Sequence, residues 1–172
     1  GNTTSAAALG LALYGGAVSD WVGRGTGIDS DGLNTKCRVV VAALAANPSA
    51  QGNGLMALCC LGGRELAAMA GAIVRARQAR IPVILDGFIC CAAAACLETA
   101  WCGALDHTIA GHLSAESGHA RLLSQLDKVP LLSLGMRLGE GSGGALAIAL
   151  VQAAVGCLSG MATFTEAGVA DG

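Results

Sequence analysis

Short apolar runs that end in polar or glycine residues alternate along this chain with longer segments of helical character. The clearest run, at residues 82–87, ends in Asp86 and Gly87, and a second strand candidate covers residues 106–110. Strands that alternate with helices in this way are typical of βαβ units and a parallel sheet. We therefore predict an α/β fold, in which a Rossmann-like parallel sheet is flanked by helices rich in glycine and alanine.

The other predicted elements fit that fold. Asn47 and Pro48 end one helix, residues 49–54 form a polar loop, and a glycine-rich loop covers residues 23–32. Ser114 is the expected N-cap of another helix. An Ala/Leu helix, for which residues 1–4 offer caps, is predicted to run to about Tyr14. Further helices are predicted at residues 32–46, 65–78, 88–100, 114–126 and 143–158, with a further short strand at residues 131–134.

The size and composition limit the possible functions. A chain of 172 residues can form one domain with a substantial core, so we predict a single α/β domain over residues 1–172. The net charge of −2 offers no basic surface for nucleic acid, and aromatic residues, at 3%, are too few for a base-stacking platform. The abundant glycine and alanine instead suit closely packed helices and ligand sites lined by backbone.

The mean hydropathy of +0.61 is high and raises the question of a membrane. The longest apolar runs, residues 88–97 and 145–158, are shorter than the roughly 20 residues that span a bilayer, and Gln152 interrupts the second. Both are expected to be buried helices packed against the sheet, so no membrane contact is expected.

Most of the eight cysteines lie inside apolar runs, where a free thiol behaves as a small buried hydrophobic group. The adjacent pairs Cys59-Cys60 and Cys90-Cys91 do not form a C-x-x-C ligand pattern. A reduced, cytoplasmic protein is therefore expected rather than a disulfide scaffold.

A single carboxylate, Glu140, stands in a glycine-rich turn just before the last apolar helix. Glycines let backbone approach a ligand closely, and the start of a helix leaves free N–H groups that favour anions. One interpretation is therefore a base beside an anion site. The other is a capped helix with an acidic first turn, and the local pattern leaves both open.

Ligand sites in parallel sheets lie beyond the carboxyl ends of the strands. Asp86 and Gly87 follow one predicted strand, residues 111–114 follow another, and the turn that holds Glu140 enters a helix. We expect these three segments to meet on one rim of the sheet.

Six motifs taken together resemble the nicotinate-nucleotide–dimethylbenzimidazole phosphoribosyltransferase family. Each alone is a weak signal, but six in the family's order, at matching spacing, are specific, and they extend through nearly the whole chain. The motifs are Gly1-Asn2-Thr3-Thr4-Ser5-Ala6-Ala7, Val22-Gly23-Arg24-Gly25-Thr26-Gly27, Leu85-Asp86-Gly87-Phe88, His112-Leu113-Ser114-Ala115-Glu116, Arg137-Leu138-Gly139-Glu140-Gly141-Ser142-Gly143 and Met161-Ala162-Thr163-Phe164.

The resemblance implies an enzyme, a pentosyltransferase that moves phosphoribose from nicotinate mononucleotide to 5,6-dimethylbenzimidazole in synthesis of the cobalamin lower ligand. Its products are α-ribazole 5′-phosphate and nicotinate. The leaving pyridinium is already activated, and no cofactor is expected. Glu140 matches the family's catalytic base, which takes the benzimidazole N–H proton as the other ring nitrogen attacks C1′.

The resemblance also implies residues that hold the donor nucleotide. Glycine N–H groups and the Ser114 hydroxyl can donate to phosphate oxygens, and Lys36 supplies a point charge. Asp86 cannot bind phosphate directly as a carboxylate, so it would contact a ribose hydroxyl or orient donors. Lys36 could instead be a solvated helix residue, and Arg137 could pair with a surface acid. The implied substrate-binding and phosphate-binding residues are Gly25, Lys36, Asp86, Gly87, Ser114, Arg137, Leu138 and Gly139.

Several patterns that suggest other chemistry are incomplete. Residues 23–27 lack the Gly-Lys-Ser/Thr ending of a P-loop, and the twelfth position from Asp29 is Val40, not the glutamate of a calcium loop. The three histidines do not share a helical face at ligand spacing, so no metal site is expected.

In the family the first motif lies mid-protein, so we expect this chain to be the C-terminal portion of a longer enzyme. It would lack the segment that binds the acceptor, and activity of the chain alone is not assured. Small-molecule substrates and a homodimer are implied, with no nucleic-acid or membrane partner. The alternative function is a non-catalytic α/β module that binds a nucleotide or phosphate; a third is a Gly/Ala-rich membrane or assembly element.

Overall fold

The structure, a computed structural model, describes residues 2–23, 27 and 29–169. Helical segments predominate, and two short 3-10 turns, Val18–Asp20 and Pro48–Ala50, lie in the connections. The longer elements are α1 (Asn2–Tyr14), α2 (Ser30–Ala46), α3 (Gly54–Ala57) with its π-helical continuation Leu58–Gly62, α4 (Arg64–Gln78), β1 (Val83–Leu85), α5 (Phe88–Ala100), β2 (Thr108–Ala110), α6 (Ser117–Gln125) and α7 (Ser142–Gly160).

The sheet is small and parallel. Strands β1 and β2 lie side by side, with Val83 opposite Thr108, and the connection between them contains α5. Beyond β2, Leu132 forms an isolated parallel bridge with His112, where the sequence predicts a third strand. The predicted α/β fold, with a parallel sheet flanked by helices, is confirmed.

Helix α5 forms the centre of the core. Residues 91–96 are fully buried, and the helix packs against α1, α3, α4 and α6. Small side chains make this approach possible, because a Cβ atom at Gly54 of α3 would overlap the carbonyl group of Cys96. The alanine-rich sequence therefore builds the core through close helix contacts more than through large side chains.

Helix α3 lies in a segment for which the sequence predicts no helix. It begins where Asn53 Oδ1 accepts a hydrogen bond of 3.1 Å from the backbone N–H of Met56. Asn-Gly is a turn signal in sequence, but here the asparagine acts as an N-cap instead.

Helix α6 begins later than predicted. Its N-cap is Glu116, so the prediction that Ser114 caps this helix is wrong. The backbone N–H of Ser114 donates instead to Nδ1 of the buried His119, at 2.9 Å. Ser114 therefore lies in the turn before α6.

Helix α7 differs from expectation in its surroundings. Only Gly143, Gly144 and Ala147 are buried, so the prediction of a helix packed against the sheet is wrong for most of its length. The helix contacts β1, and most of its later residues are exposed. Among the described helices, α7 is the one long and apolar enough to cross a membrane, a test that core helices of soluble proteins also pass.

Candidate active site

Three chain segments meet at the carboxyl ends of β1 and β2. The carboxylate Oδ1 of Asp86, directly after β1, accepts a hydrogen bond of 2.8 Å from the N–H of Gly144 in α7. The N–H of Ala115, beyond β2, donates to the carbonyl of Met136 at 2.9 Å. Both ends of the segment 136–144 are thus fastened to the loops that follow β1 and β2, and the predicted rim is formed.

Glu140 lies at the outer point of this fastened segment. Its φ is 56°, in the left-handed region, and it stands between Gly139 with φ 77° and Gly141 with φ 72°. The Ser142 N–H closes the turn by donating to the Gly139 carbonyl at 3.0 Å. Successive left-handed residues turn the chain sharply, which is why glycines flank the carboxylate.

The alternative in which Glu140 belongs to a capped helix is wrong. The N-cap of α7 is Gly141, which has no side chain of its own to cap the helix, and the first turn of the helix contains no acidic residue. The side chain of Glu140 is exposed at the rim. Its carboxylate therefore has no role in starting α7 and is presented to solvent beside the helix N-terminus.

Asp86 performs the capping that Glu140 does not. Its contact with Gly144 satisfies the N–H of the third residue of α7, one of the groups that the helix itself leaves without a partner. A carboxylate is also favoured at the positive end of the helix dipole. Asp86 is thus already engaged in orienting the start of α7.

His112 lies beneath this contact. It is 2% exposed, and its Nδ1 lies 3.7 Å from Asp86 Oδ1 without a hydrogen-bond partner among the described residues. A Cβ atom at position 143 would overlap the imidazole ring, so only Gly143 fits there. The glycine directly after Ser142 is therefore explained by the approach of α7 to His112.

Ser114 lies against a second buried histidine. Both its N–H and its Oγ lie 2.9 Å from Nδ1 of His119, and Nε2 of the same ring lies 3.4 Å from Sγ of Cys91. Burial lowers the pKa of His119 to about 4, with a further lowering effect from the nearby His112 and an opposing effect from Asp86. The imidazole is therefore neutral at physiological pH.

Lys36 is not the solvated helix residue that one interpretation of the sequence allows. It is 9% exposed, and its Nζ donates to Thr3 Oγ1 at 3.0 Å and to the Gly23 carbonyl at 3.1 Å. Burial lowers the pKa of Lys36, whereas Glu116 in the turn before α6 raises it. The ammonium thus lies between α1, the end of the Gly23 segment and the rim.

The remaining predicted residues lie in different settings. Gly87 is the N-cap of α5, and its N–H donates to Cys90 Sγ at 3.2 Å. Arg137 and Leu138 are on the fastened segment, where Leu138 is 76% exposed. Gly25 lies outside the described residues. The structure therefore brings Asp86, Gly87, Ser114 and the segment 137–140 to one rim. Lys36 is bound to Thr3 and Gly23, and Glu116 acts on it electrostatically.

One surface depression lies away from this rim. It has a volume of about 450 Å³ and is found at the amino end of β1, opposite the rim, with Arg77, Arg80 and His107 in its wall. In the described part of the chain, no three His, Cys, Asp or Glu side chains are grouped to hold a metal ion.

Sequence reasoning does not assign His112 or His119 to the site. His112 follows β2 directly and could have been found by the strand-end rule that identifies Asp86. His119 could not, because its importance depends on contacts with Ser114 and with Cys91, which is 28 residues away in sequence.

Comparison with known proteins places the chain in a family. A family model described as Phosphoribosyltransferase, DBI_PRT, matches residues 1–169. The chain belongs to this phosphoribosyltransferase family.

Individual relatives carry a more specific name. A nicotinate-nucleotide–dimethylbenzimidazole phosphoribosyltransferase of Jannaschia sp. (strain CCS1) is 67% identical over all 172 residues, which cover 51% of the relative. The protein of the same name from Ruegeria pomeroyi is 66% identical over the same extent. The crystal structure of CobT from Thermus thermophilus matches the whole chain with a TM-score of 0.92 and 45% identity, over 51% of that protein. The chain therefore spans about half the length of the relatives it matches.

Proposed function

We propose that this chain provides the catalytic and donor-binding part of a nicotinate-nucleotide–dimethylbenzimidazole phosphoribosyltransferase. The reaction moves phosphoribose from nicotinate mononucleotide to 5,6-dimethylbenzimidazole and gives α-ribazole 5′-phosphate and nicotinate, in synthesis of the cobalamin lower ligand. The observation that supports it most strongly is the position of Glu140. An exposed carboxylate, uninvolved in capping, stands on a turn fastened at both ends to the loops that follow the two strands.

Glu140 is the proposed general base. Attack by one benzimidazole nitrogen on C1′ leaves a proton on the other ring nitrogen, and a carboxylate in reach can accept it. The nicotinate leaves as a neutral pyridine from a pyridinium, so its departure needs no acid. The fastened turn fixes the backbone of Glu140, which favours a constant position of the carboxylate during the reaction.

The donor phosphate is proposed to bind among Ser114, Lys36 and the rim glycines. Helices α5 and α7 both begin at this rim, and helix N-termini favour anions. Lys36 is held by two oxygen atoms of the chain, so its charge is fixed in place before ligand arrives. The further residues of this proposed set are Gly25, Gly87, Arg137, Leu138 and Gly139, with Asp86 orienting the start of α7.

Replacement of the base tests the catalytic assignment. In a protein of the relatives' length that carries this chain, Glu140→Gln is expected to lower turnover by roughly 10²–10⁴ and to leave the affinity for nicotinate mononucleotide within about threefold. Glu166→Gln, at an exposed carboxylate that accepts hydrogen bonds from Thr163, is the matched control and should retain activity. Full turnover in Glu140→Gln would end the assignment of the base.

The 172-residue chain is expected to bind nicotinate mononucleotide weakly and to release little nicotinate. The proposed donor contacts are inside it, but it covers only half of its relatives, so positioning of the acceptor would be lost. Calorimetry with nicotinate mononucleotide and a nicotinate-release assay separate the possibilities. If the longer protein also binds nicotinate mononucleotide but releases no nicotinate, the result would favour a non-catalytic nucleotide-binding module.

Homodimer formation and a cytoplasmic location complete the proposal. The exposed apolar side chains of α7 support association, and all eight cysteines are free thiols, which suits a reducing compartment. Sedimentation of the purified protein over a range of concentrations tests the dimer: a monomer at all concentrations would contradict it.

A further inference from the structure

A buried histidine lies directly behind the serine proposed to contact the donor phosphate. His119 is fully buried, and one of its ring nitrogens, Nδ1, lies 2.9 Å from both the backbone nitrogen and the hydroxyl oxygen of Ser114. The other nitrogen, Nε2, lies 3.4 Å from Cys91 Sγ in the core helix α5. The ring thus connects the rim to the core.

These contacts determine where the imidazole proton lies. The backbone N–H of Ser114 can only donate, so Nδ1 must carry a lone pair, and the proton of the neutral ring is on Nε2. The Nε2–H then points toward Cys91 Sγ. Because Nδ1 carries no proton, the Ser114 hydroxyl in contact with it is a donor, and the lone pairs of its oxygen are directed away from the ring.

We propose that His119 is a positioning residue for Ser114. It anchors the serine backbone, and in the unbound state it accepts the hydrogen bond of the serine hydroxyl. When the donor binds, an oxygen of its phosphate accepts that hydrogen bond instead. The inference rests on the proposed function, in which Ser114 contacts the 5′-phosphate. In the bound state the hydroxyl rotates from Nδ1 to the phosphate, and the backbone N–H alone remains on the ring. No proton is transferred.

The surroundings of His119 keep it an acceptor. The groups that face it are His112, with ring centroids 6.2 Å apart, Phe88 and Cys91 of α5, and Asp86 at the end of β1. Burial and His112 lower its pKa to about 4, against the opposing effect of Asp86. A protonated ring would set Nδ1–H against the Ser114 N–H, so the arrangement requires the neutral form.

Two substitutions of similar polarity separate positioning from packing. In His119→Asn the side-chain oxygen can occupy the place of Nδ1 and accept from Ser114, whereas in His119→Gln the longer chain directs the amide toward Cys91. We expect the affinity of the 172-residue chain for nicotinate mononucleotide, measured by calorimetry, to stay within about threefold in His119→Asn and to fall about tenfold in His119→Gln. His107→Asn, at the opposite end of β2, is the control and should bind like the unaltered chain.

A second comparison tests whether the effect passes through Ser114. When Ser114→Ala is combined with each variant, the difference between Asn and Gln at position 119 should disappear, because the hydroxyl that the anchored backbone places against the phosphate is absent. Correlation spectra of ¹⁵N-labelled histidine give an independent measurement: they should show His119 protonated at Nε2 and not at Nδ1, before and after addition of nicotinate mononucleotide.

The outcomes are distinct. His119→Asn and His119→Gln could have equal affinity for nicotinate mononucleotide while thermal unfolding shows that both variants are folded. That result would overturn the positioning role and leave the proposed function intact. A proton on Nδ1 would overturn it as well. Absence of any binding by the unaltered chain would instead overturn the donor-site assignment, and with it the phosphate contact proposed for Ser114.

Discussion

Helices α5 and α7 are both long and apolar, yet they occupy opposite environments. Eight of the 13 residues of α5 are buried, whereas only three of the 19 residues of α7 are. Helix α5 is enclosed by α1, α3, α4 and α6, whereas the principal contact of α7 with a described element is with β1. Composition is similar in the two helices, so the presence of neighbouring elements, not hydrophobicity, decides which becomes core.

The first turn of α7 is the exception within that helix. Gly143 and Gly144 lie against His112 and Asp86 and form part of the rim, whereas Leu146, Val155 and Leu158 are 49%, 58% and 88% exposed. The buried residues of α7 therefore lie at the candidate site, whereas most of the apolar remainder is exposed. An exposed apolar face of this length supports the association proposed above.

A charged substitution is expected to give the largest difference between the helices in the free energy of unfolding. Ala94→Glu places a carboxylate at a fully buried position of α5 and should lower the free energy of unfolding by about 4 kcal/mol or more. Ala149→Glu, at an exposed position of α7, should change it by less than about 0.5 kcal/mol. Urea unfolding of both variants measures this, and equal losses would show that α7 is as enclosed as α5.

A smaller contrast is expected within α7 itself. Gly143→Ala forces a Cβ atom onto the His112 ring and should destabilise the protein by about 2 kcal/mol, whereas nothing lies within 4 Å of a Cβ at Gly156. Gly156→Ala should instead stabilise the helix by roughly 0.5–1 kcal/mol, because alanine has the higher helix propensity. Thermal unfolding of the two variants should shift in opposite directions; a shift in the same direction would contradict the division of α7 into a packed turn and an exposed remainder.

A further contrast, seen only at high pH, concerns the thiols. Burial raises the pKa of Cys96 in α5 to about 12, so the folded protein retains this proton after the unfolded chain, with an ordinary thiol pKa near 8.5, has lost it. Stability should therefore fall as the pH rises from about 9 toward 12, and Cys96→Ala should reduce this fall. The exposed Cys157 of α7 is the control, since Cys157→Ala should leave the pH dependence unchanged.

The same contrast shows how far the sequence predicts this structure. Helices α4 and α5, both strands and the end of α1 are predicted to within about two residues, because their apolar runs and flanking signals are local. Helix α1 begins earlier than predicted, since the residues expected to cap it lie inside the helix. The exposure of α7 is not predicted, since the sequence of a helix does not show which other elements pack against it. Helix α3 is missed because Asn53 and Gly54 also fit a turn.

The site was predictable to the extent that it follows strand ends. Asp86, Ser114 and the turn of Glu140 meet as expected, because parallel strands end at one rim. The capping of α7 by Asp86 and the contact of Ser114 with His119 were not predictable, because both join residues through the tertiary fold rather than through local spacing.

Glu140 has a backbone conformation that an L-amino acid adopts only with a steric penalty, and both of its neighbours share that conformation as glycines. A glycine at position 140 would remove the penalty, so Glu140→Gly is expected to raise the free energy of unfolding by about 1 kcal/mol while deleting the carboxylate. A selection of variants for thermal stability alone would therefore favour loss of the residue on which the proposed chemistry depends. At this turn, stability and activity place opposite demands on a single side chain.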